Sequence, residues 1–158
     1  MSNILPPQPR HTNARRAFAI VASQYNPIYA RGLIESASRE FDVIAPNAHI
    51  VLHEVPGAFE IPLVVQEVAS RGGVDAILAF GVIIQGETQH AELIAKTVTE
   101  ALQKLALQFR MPVIHEVLLV SDEEQARKRC IETGLNRGTE AARTALRMAQ
   151  VMAEIKTR

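Results

Sequence analysis

The sequence predicts an α/β protein with a parallel sheet covered by helices on both faces. Three observations lead there. Short apolar runs alternate with longer stretches of helical periodicity along the chain. Gly and Pro punctuate the joins between them. Strands separated by helices pair in parallel through crossovers, and such sheets are buried on both sides.

Each element has its own signal. Residues 1–15 carry Pro6, Pro7 and Pro9 and are expected to form a flexible arm. The run AFAIVAS, 17–23, reads as a buried strand. Pro27 suits the first turn of a helix, which Ile28, Leu33, Ile34, Ala37 and Phe41 continue. A second strand is expected near 49–55, ended by Val55-Pro56-Gly57. The pattern over 59–70 is helical, and Arg71-Gly72-Gly73 stops it. Residues 75–84 form the most hydrophobic strand, which places it centrally. A long helix is expected over 88–109, with Thr88 as its N-cap. Residues 112–120 make a fourth strand. Ser121-Asp122-Glu123-Glu124 reads as a capping box that opens a short helix. Asn136-Arg137-Gly138 breaks the chain before a last helix, 139–155. Ala142, Ala145, Leu146, Ala149 and Met152 form its apolar stripe. No repeat and no linker divides residues 16–158, which are expected to be one domain.

Bulk composition narrows the function. Lys and Arg total 17, and Asp and Glu also total 17, so nothing points to nucleic acid or an anionic membrane as the partner. A single Cys, Cys130, permits no intrachain disulfide and suits a reducing compartment. No apolar run is long enough for a membrane span, and residues 1–16 lack the apolar core of a secretory signal. The expectation is a soluble cytoplasmic protein.

In parallel α/β sheets ligands bind beyond the C-terminal strand ends. Four such ends are candidates. The first offers Tyr25, to stack on a planar ring or simply pack on the next helix, and Asn26, to meet a polar substituent. At the second, Gly57 and Ala58 offer backbone N–H groups. Glu60 there is either a hydrogen-bond acceptor for a polyol or a structural charge in the first helical turn. The third, Gly81-Val-Ile-Ile-Gln-Gly-Glu-Thr-Gln-His90, delivers a Gly, a hydroxyl and a His to a helix start. A helix N-terminus binds anions, and a His beside it can move protons near neutral pH. The ordinary alternative is a turn with a capping Thr88 and a surface His90. The fourth holds His115, for which a core or interface side chain is the more common explanation. Arg127, Lys128, Arg129 and Arg137 gather near the last break, where one could grip a phosphate bidentately or all could be solvated. No Cys/His metal spacing, Walker motif or G-x-G-x-x-G motif occurs.

Four motifs, VPGAFEIP (55–62), GVIIQGETQH (81–90), PVIHEVLLVSDEEQA (112–126) and LNRGTEAARTAL (135–146), stand in the order and spacing of the lumazine synthases. From about Ala17 to Met152 the chain resembles that family. The resemblance implies a flavodoxin-like α/β/α sandwich with a four-stranded parallel sheet, with or without an added N-terminal strand. It implies condensation of 5-amino-6-(D-ribitylamino)uracil with 3,4-dihydroxy-2-butanone 4-phosphate, without metal or organic cofactor. It assigns Tyr25 to stacking on the pyrimidine. Ala58, Phe59 and Glu60 would hold the ribityl chain and ring, and Val82, Ile83 and Ile84 would present backbone groups. Glu87 and Thr88 fall at the phosphate site, His90 at proton transfer. Arg129 is the phosphate-gripping Arg, supplied by a neighbouring subunit. His115 stands where an aromatic, commonly Phe, covers the pyrimidine across that interface. Arg137 stands at a frequent Lys position, Gln85 at a frequent Arg position, and Ala91 where an aromatic is common. The implied assembly is a pentamer or a multiple of it, with riboflavin synthase as a candidate partner. A lumazine- or flavin-binding relative without turnover, and a shell protein with a vestigial pocket, are the rival readings. Without the resemblance, the residues point to an α/β enzyme acting on a small phosphorylated substrate.

Overall fold

Strand β1 (Ala17–Ser23) is apolar and buried on both faces, so helices must cover it from both sides. A computed structural model of the chain, describing residues 4–86 and 89–157, shows how they do. Helix α1 (Pro27–Ile44) leads to β2 (His49–Val55). A single 3-10 turn (Ala58–Glu60) then opens α2 (Ile61–Arg71). Strand β3 (Ala76–Ile84), helix α3 (His90–Phe109) and strand β4 (Val113–Val120) follow. Helices α4 (Glu123–Cys130) and α5 (Arg137–Lys156) complete the chain. The strand order is β2-β1-β3-β4, with every pairing parallel. This is the three-layer sandwich that the sequence predicts.

Alternation along the strands splits the core in two. Phe18, Ile20, Leu78 and Phe80 face α1, α4 and α5, where Phe18 stacks on Phe41 at 4.6 Å between ring centroids. Ala19, Val21, Ile77 and Ala79 face α2 and α3. Chain direction reverses between β1 and β3: the chain steps outward from β1 to β2, then returns past β1 to β3. That reversal opens a crevice at their C-terminal ends.

Element ends differ from the sequence expectations in instructive ways. Helix α2 starts at Ile61, not Phe59, because the Pro56-Gly57 corner is taken up by the 3-10 turn first. Gly72 and Gly73 stop it with φ of 68° and 81°, a backbone region that favours glycine. The capping box is displaced by one residue. Asp122 is the N-cap and accepts from the Gln125 N–H at 2.7 Å, while Gln125 Oε1 accepts from the Ser121 N–H. Helix α5 starts two residues earlier than expected, because Asn136 caps it by accepting from the N–H groups of Gly138 and Thr139.

The N-terminal residues run along α1 and α5. The Pro6 carbonyl accepts from Arg143, the Arg10 carbonyl from Gln150, and the Thr12 N–H donates to the Ile44 carbonyl. Described residues 4–16 form no strand. Among the described residues no helix is long and apolar enough to cross a membrane.

Candidate active site

A cavity of about 650 Å³ lies at the β1/β3 reversal. Its wall carries Tyr25, Asn26, Ala58, Phe59, Glu60, Val82, Ile83, Ile84 and His90, brought from three strand ends and one helix start. Glu87 and Thr88 lie outside the described residues. Gly86 borders the cavity just before them.

Each side chain is placed by its element. Asn26 takes the left-handed conformation, φ 53°, at the turn from β1 into α1. Its amide donates to the Val82 carbonyl at 2.8 Å, tying the end of β1 to that of β3. That bond uses one of the two amide N–H groups, leaving the other N–H and Oδ1 for a polar substituent of a ligand. Tyr25 is 70% exposed and Phe59 59% exposed, so two aromatic faces stand open at the rim. Gly57 sits beneath them. A β-carbon there would lie 2.9 Å from Glu60 Oε2 and 3.2 Å from the Tyr25 ring. The glycine is what allows the carboxylate and ring to close over this corner. His90 opens α3, an exposed imidazole at the positive end of a 20-residue helix. Gln85 donates to Glu92, on the first turn of the same helix.

Ser23 was not anticipated. Its hydroxyl is buried, lines the cavity and has no hydrogen-bond partner among the described residues. The sequence signal was its place as the last residue of an apolar strand, one step before Gln24-Tyr25. A buried hydroxyl left unpaired is a ready donor and acceptor for a polar ligand.

The remaining candidates lie elsewhere on the chain. His115, on β4, lines a second groove between α3, β4 and α5 together with Glu116 and Glu140. Burial pushes its pKa below the ordinary value, against a weaker backbone hydrogen bond, which favours the neutral ring. Its Nε2 lies 2.8 Å from the Thr99 hydroxyl. Arg129 is half-buried on the last turn of α4. Arg137 is only 6% exposed and pairs with the Glu140 carboxylate. Arg129 and Arg137 border neither the first cavity nor the second. Glu116 had been passed over in the sequence. Burial, aided by Glu140 and opposed by Arg137 and Arg129, pushes its pKa up to about 8. Cys130 is buried and its thiol is pushed up to about 12, chiefly by burial, which fits a packing residue.

One chain therefore offers aromatic faces, a carboxylate, backbone groups and a histidine at a helix start. Arg129 and Arg137 do not border that cavity. A family model for 6,7-dimethyl-8-ribityllumazine synthase matches residues 15–153. A protein of that name from Halorhodospira halophila is 37% identical over 142 residues, spanning 88% of this chain and 90% of its own. Another of that name, from Paraburkholderia phymatum, is 38% identical over 133 residues, spanning 84% of this chain and 75% of its own.

Proposed function

Because the chain belongs to the 6,7-dimethyl-8-ribityllumazine synthase family, we propose an account of how its own residues make the lumazine. The reaction is the condensation of 5-amino-6-(D-ribitylamino)uracil with 3,4-dihydroxy-2-butanone 4-phosphate. It yields 6,7-dimethyl-8-ribityllumazine, phosphate and water, as a step of riboflavin biosynthesis. The cavity at the β1/β3 reversal, with His90 on its wall, is the observation that carries the reading.

The pyrimidine stacks on Tyr25 and meets the backbone of Val82, Ile83 and Ile84. Glu60 accepts from the ribityl hydroxyls, with Ala58 and Phe59 alongside, and Ser23 answers a polar edge of the ring. Phosphate sits where Gly86, Glu87 and Thr88 lead into α3, held by backbone N–H groups and the Thr88 hydroxyl. The substrate amine attacks the ketone to give a carbinolamine, which loses water to an imine. Enolisation, departure of phosphate and ring closure, in which the ribitylamino nitrogen attacks the second carbonyl and a second water leaves, follow. Each step moves a proton, and His90 is placed to carry them. Departing phosphate accumulates negative charge, which the α3 N-terminus and Arg129 offset. Holding both substrates in one cavity converts a bimolecular encounter into a local one.

Arg129 and Arg137 border no part of the cavity on their own chain. The reading therefore takes them, with His115, from a neighbouring copy in a pentamer or a multiple of it. The protein works in the cytoplasm, with riboflavin synthase as the enzyme next in line. Residues 16–158 act as one domain, and residues 1–15 serve as its arm.

The test is turnover by the purified assembly, followed by lumazine absorbance and phosphate release. Arg129→Ala should lower kcat/KM for the phosphosugar about 100-fold, the loss of one charge-assisted bidentate contact worth about 2–3 kcal/mol. Wild-type protein that binds the pyrimidine but forms no lumazine would move the binding-protein reading into first place.

A further inference from the structure

Strand β4 breaks its own apolar pattern on the face turned to α3. Val113 and Val117 belong to the core on that side, and His115 stands between them. A half-buried imidazole there needs a hydrogen-bond partner. Thr99 of α3 supplies it, with its Oγ1 2.8 Å from His115 Nε2. The same hydroxyl donates to the Ala95 carbonyl at 2.7 Å. A hydroxyl has one proton. With that proton on the Ala95 carbonyl, the Thr99 oxygen is left to accept, and Nε2 carries the proton of the pair. Thr99 is exposed on its helix, where Ala, Glu or Lys would favour the helix more. Helix formation therefore does not account for a Thr there, and the contact with His115 does.

The held ring sits where another chain can reach it. Strand β4 pairs with β3 alone, at one end of the order β2-β1-β3-β4, so its outer edge is open. A weaker hydrogen bond to its own backbone engages the ring as well, and burial favours its neutral form. We propose that Thr99 is a positioning residue for the pyrimidine. It holds His115 by Nε2, so that the ring offers the site of the neighbouring copy a flat aromatic face and no hydrogen bond from that nitrogen. A stacked pyrimidine asks only for a fixed plane from such a ring. A free imidazole would lose rotamer freedom each time a ligand bound. One already fixed within its own chain is ordered before the ligand arrives.

The inference rests on the reading that takes His115 from a neighbouring copy, and its test separates the two. Affinity for 5-amino-6-(D-ribitylamino)uracil is measured on the assembled protein by equilibrium dialysis, without turnover. Thr99→Val removes the acceptor at nearly constant shape and should weaken binding about fivefold, the loss of one ordinary hydrogen bond. Thr99→Ser restores the hydroxyl and should restore the affinity. The deciding measurement is the same Thr99→Val change in a His115→Phe background. Phe has no nitrogen to hold, so there the change should alter affinity less than about twofold. An equal loss in both backgrounds would show that Thr99 merely supports α3, and would overturn the proposal, as would unchanged affinity in Thr99→Val. If the variants do not assemble, nitrogen-15 spectra of the His115 ring in wild type decide. The proton must stay on Nε2 when the uracil binds, and its transfer to Nδ1 refutes the proposal. Wild type that binds no uracil would remove the reading of the site, and this inference with it.

Discussion

A carboxyl whose pKa is raised from 4.5 to about 8 must make the protein's stability depend on pH. The folded chain holds the Glu116 proton more tightly than the unfolded chain does. Between those two values the native state binds more protons. Stability contributed by this group is complete below about pH 4.5, falls as pH rises, and levels off above about pH 8. Glu116→Gln removes that slope. Between pH 5 and pH 9, wild type should lose about 1–3 kcal/mol relative to the variant, after allowance for the residue's partial exposure. Urea midpoints at the two pH values measure the difference, and equal slopes would show that Glu116 titrates normally. The sequence did not reveal this residue. Glu116 stands beside His115 in a run that otherwise reads as an apolar strand, and only the packing of α4 and α5 shows what surrounds it. The cavity residues were easier to read. Tyr25, Glu60 and His90 each follow an apolar strand by a few residues, and strand ends converge wherever a parallel sheet reverses direction. Gly57 was read only as a backbone donor and Ser23 only as a strand end, because their side-chain surroundings depend on which neighbour they touch. For Ser23 no partner is found among the described residues, and for Gly57 the neighbours are Tyr25 and Glu60.

At the scale of elements, the α1–α5 contact decides whether the α4–α5 corner forms at all. Gly138 lies on the first turn of α5, where a β-carbon would come 2.2 Å from the Leu33 carbonyl oxygen. That oxygen belongs to the backbone of α1 and cannot swing away. The small side chains of Ala141, Ala142 and Ala145 continue the same close approach, all fully buried. Gly138→Ala should therefore destabilise the protein by about 3 kcal/mol or more, although alanine favours helices. Asn136 presents the complementary case. Its side chain caps α5 and also receives α4, and it is 1% exposed. Asn136→Ala leaves one buried and one half-buried carbonyl and two N–H groups short of partners and should cost about 2–4 kcal/mol. Thermal denaturation of both variants checks these values, and a loss under 1 kcal/mol in Gly138→Ala would mean that the helices slide apart cheaply. Both residues fall in the Asn136-Arg137-Gly138 segment, which the sequence marked only as a break. Composition identified a stop between helices. It could not show that the stop is a cap joining two helices, because that depends on where the Cys130 carbonyl points.

At the scale of the whole molecule, the question is why one chain keeps its histidine and its arginines apart. His90 borders the cavity at the β1/β3 reversal, whereas Arg129 and Arg137 belong to α4 and α5, which pack with α1 over one face of the sheet and do not border that cavity. A parallel sheet has two distinct edges. Copies meeting head to tail through unlike surfaces repeat the same junction until a ring closes. Such a ring would bring the α4–α5 corner of one copy to the cavity of the next and build every site from two chains. This arrangement makes a prediction that no single-chain site shares. His90→Ala and Arg129→Ala should each be nearly inactive alone. Unfolded together in equal amounts and refolded, they should regain activity, because some junctions pair an intact His90 with an intact Arg129. Random mixing makes about one quarter of the junctions complete, which sets the ceiling on recovered rate. Activity that stays at the level of the separate variants, in mixed assemblies verified by mass spectrometry, would place both residues on one chain's site. A recovery near that ceiling would show that the functional unit is the junction between copies, with a reach that no single chain has.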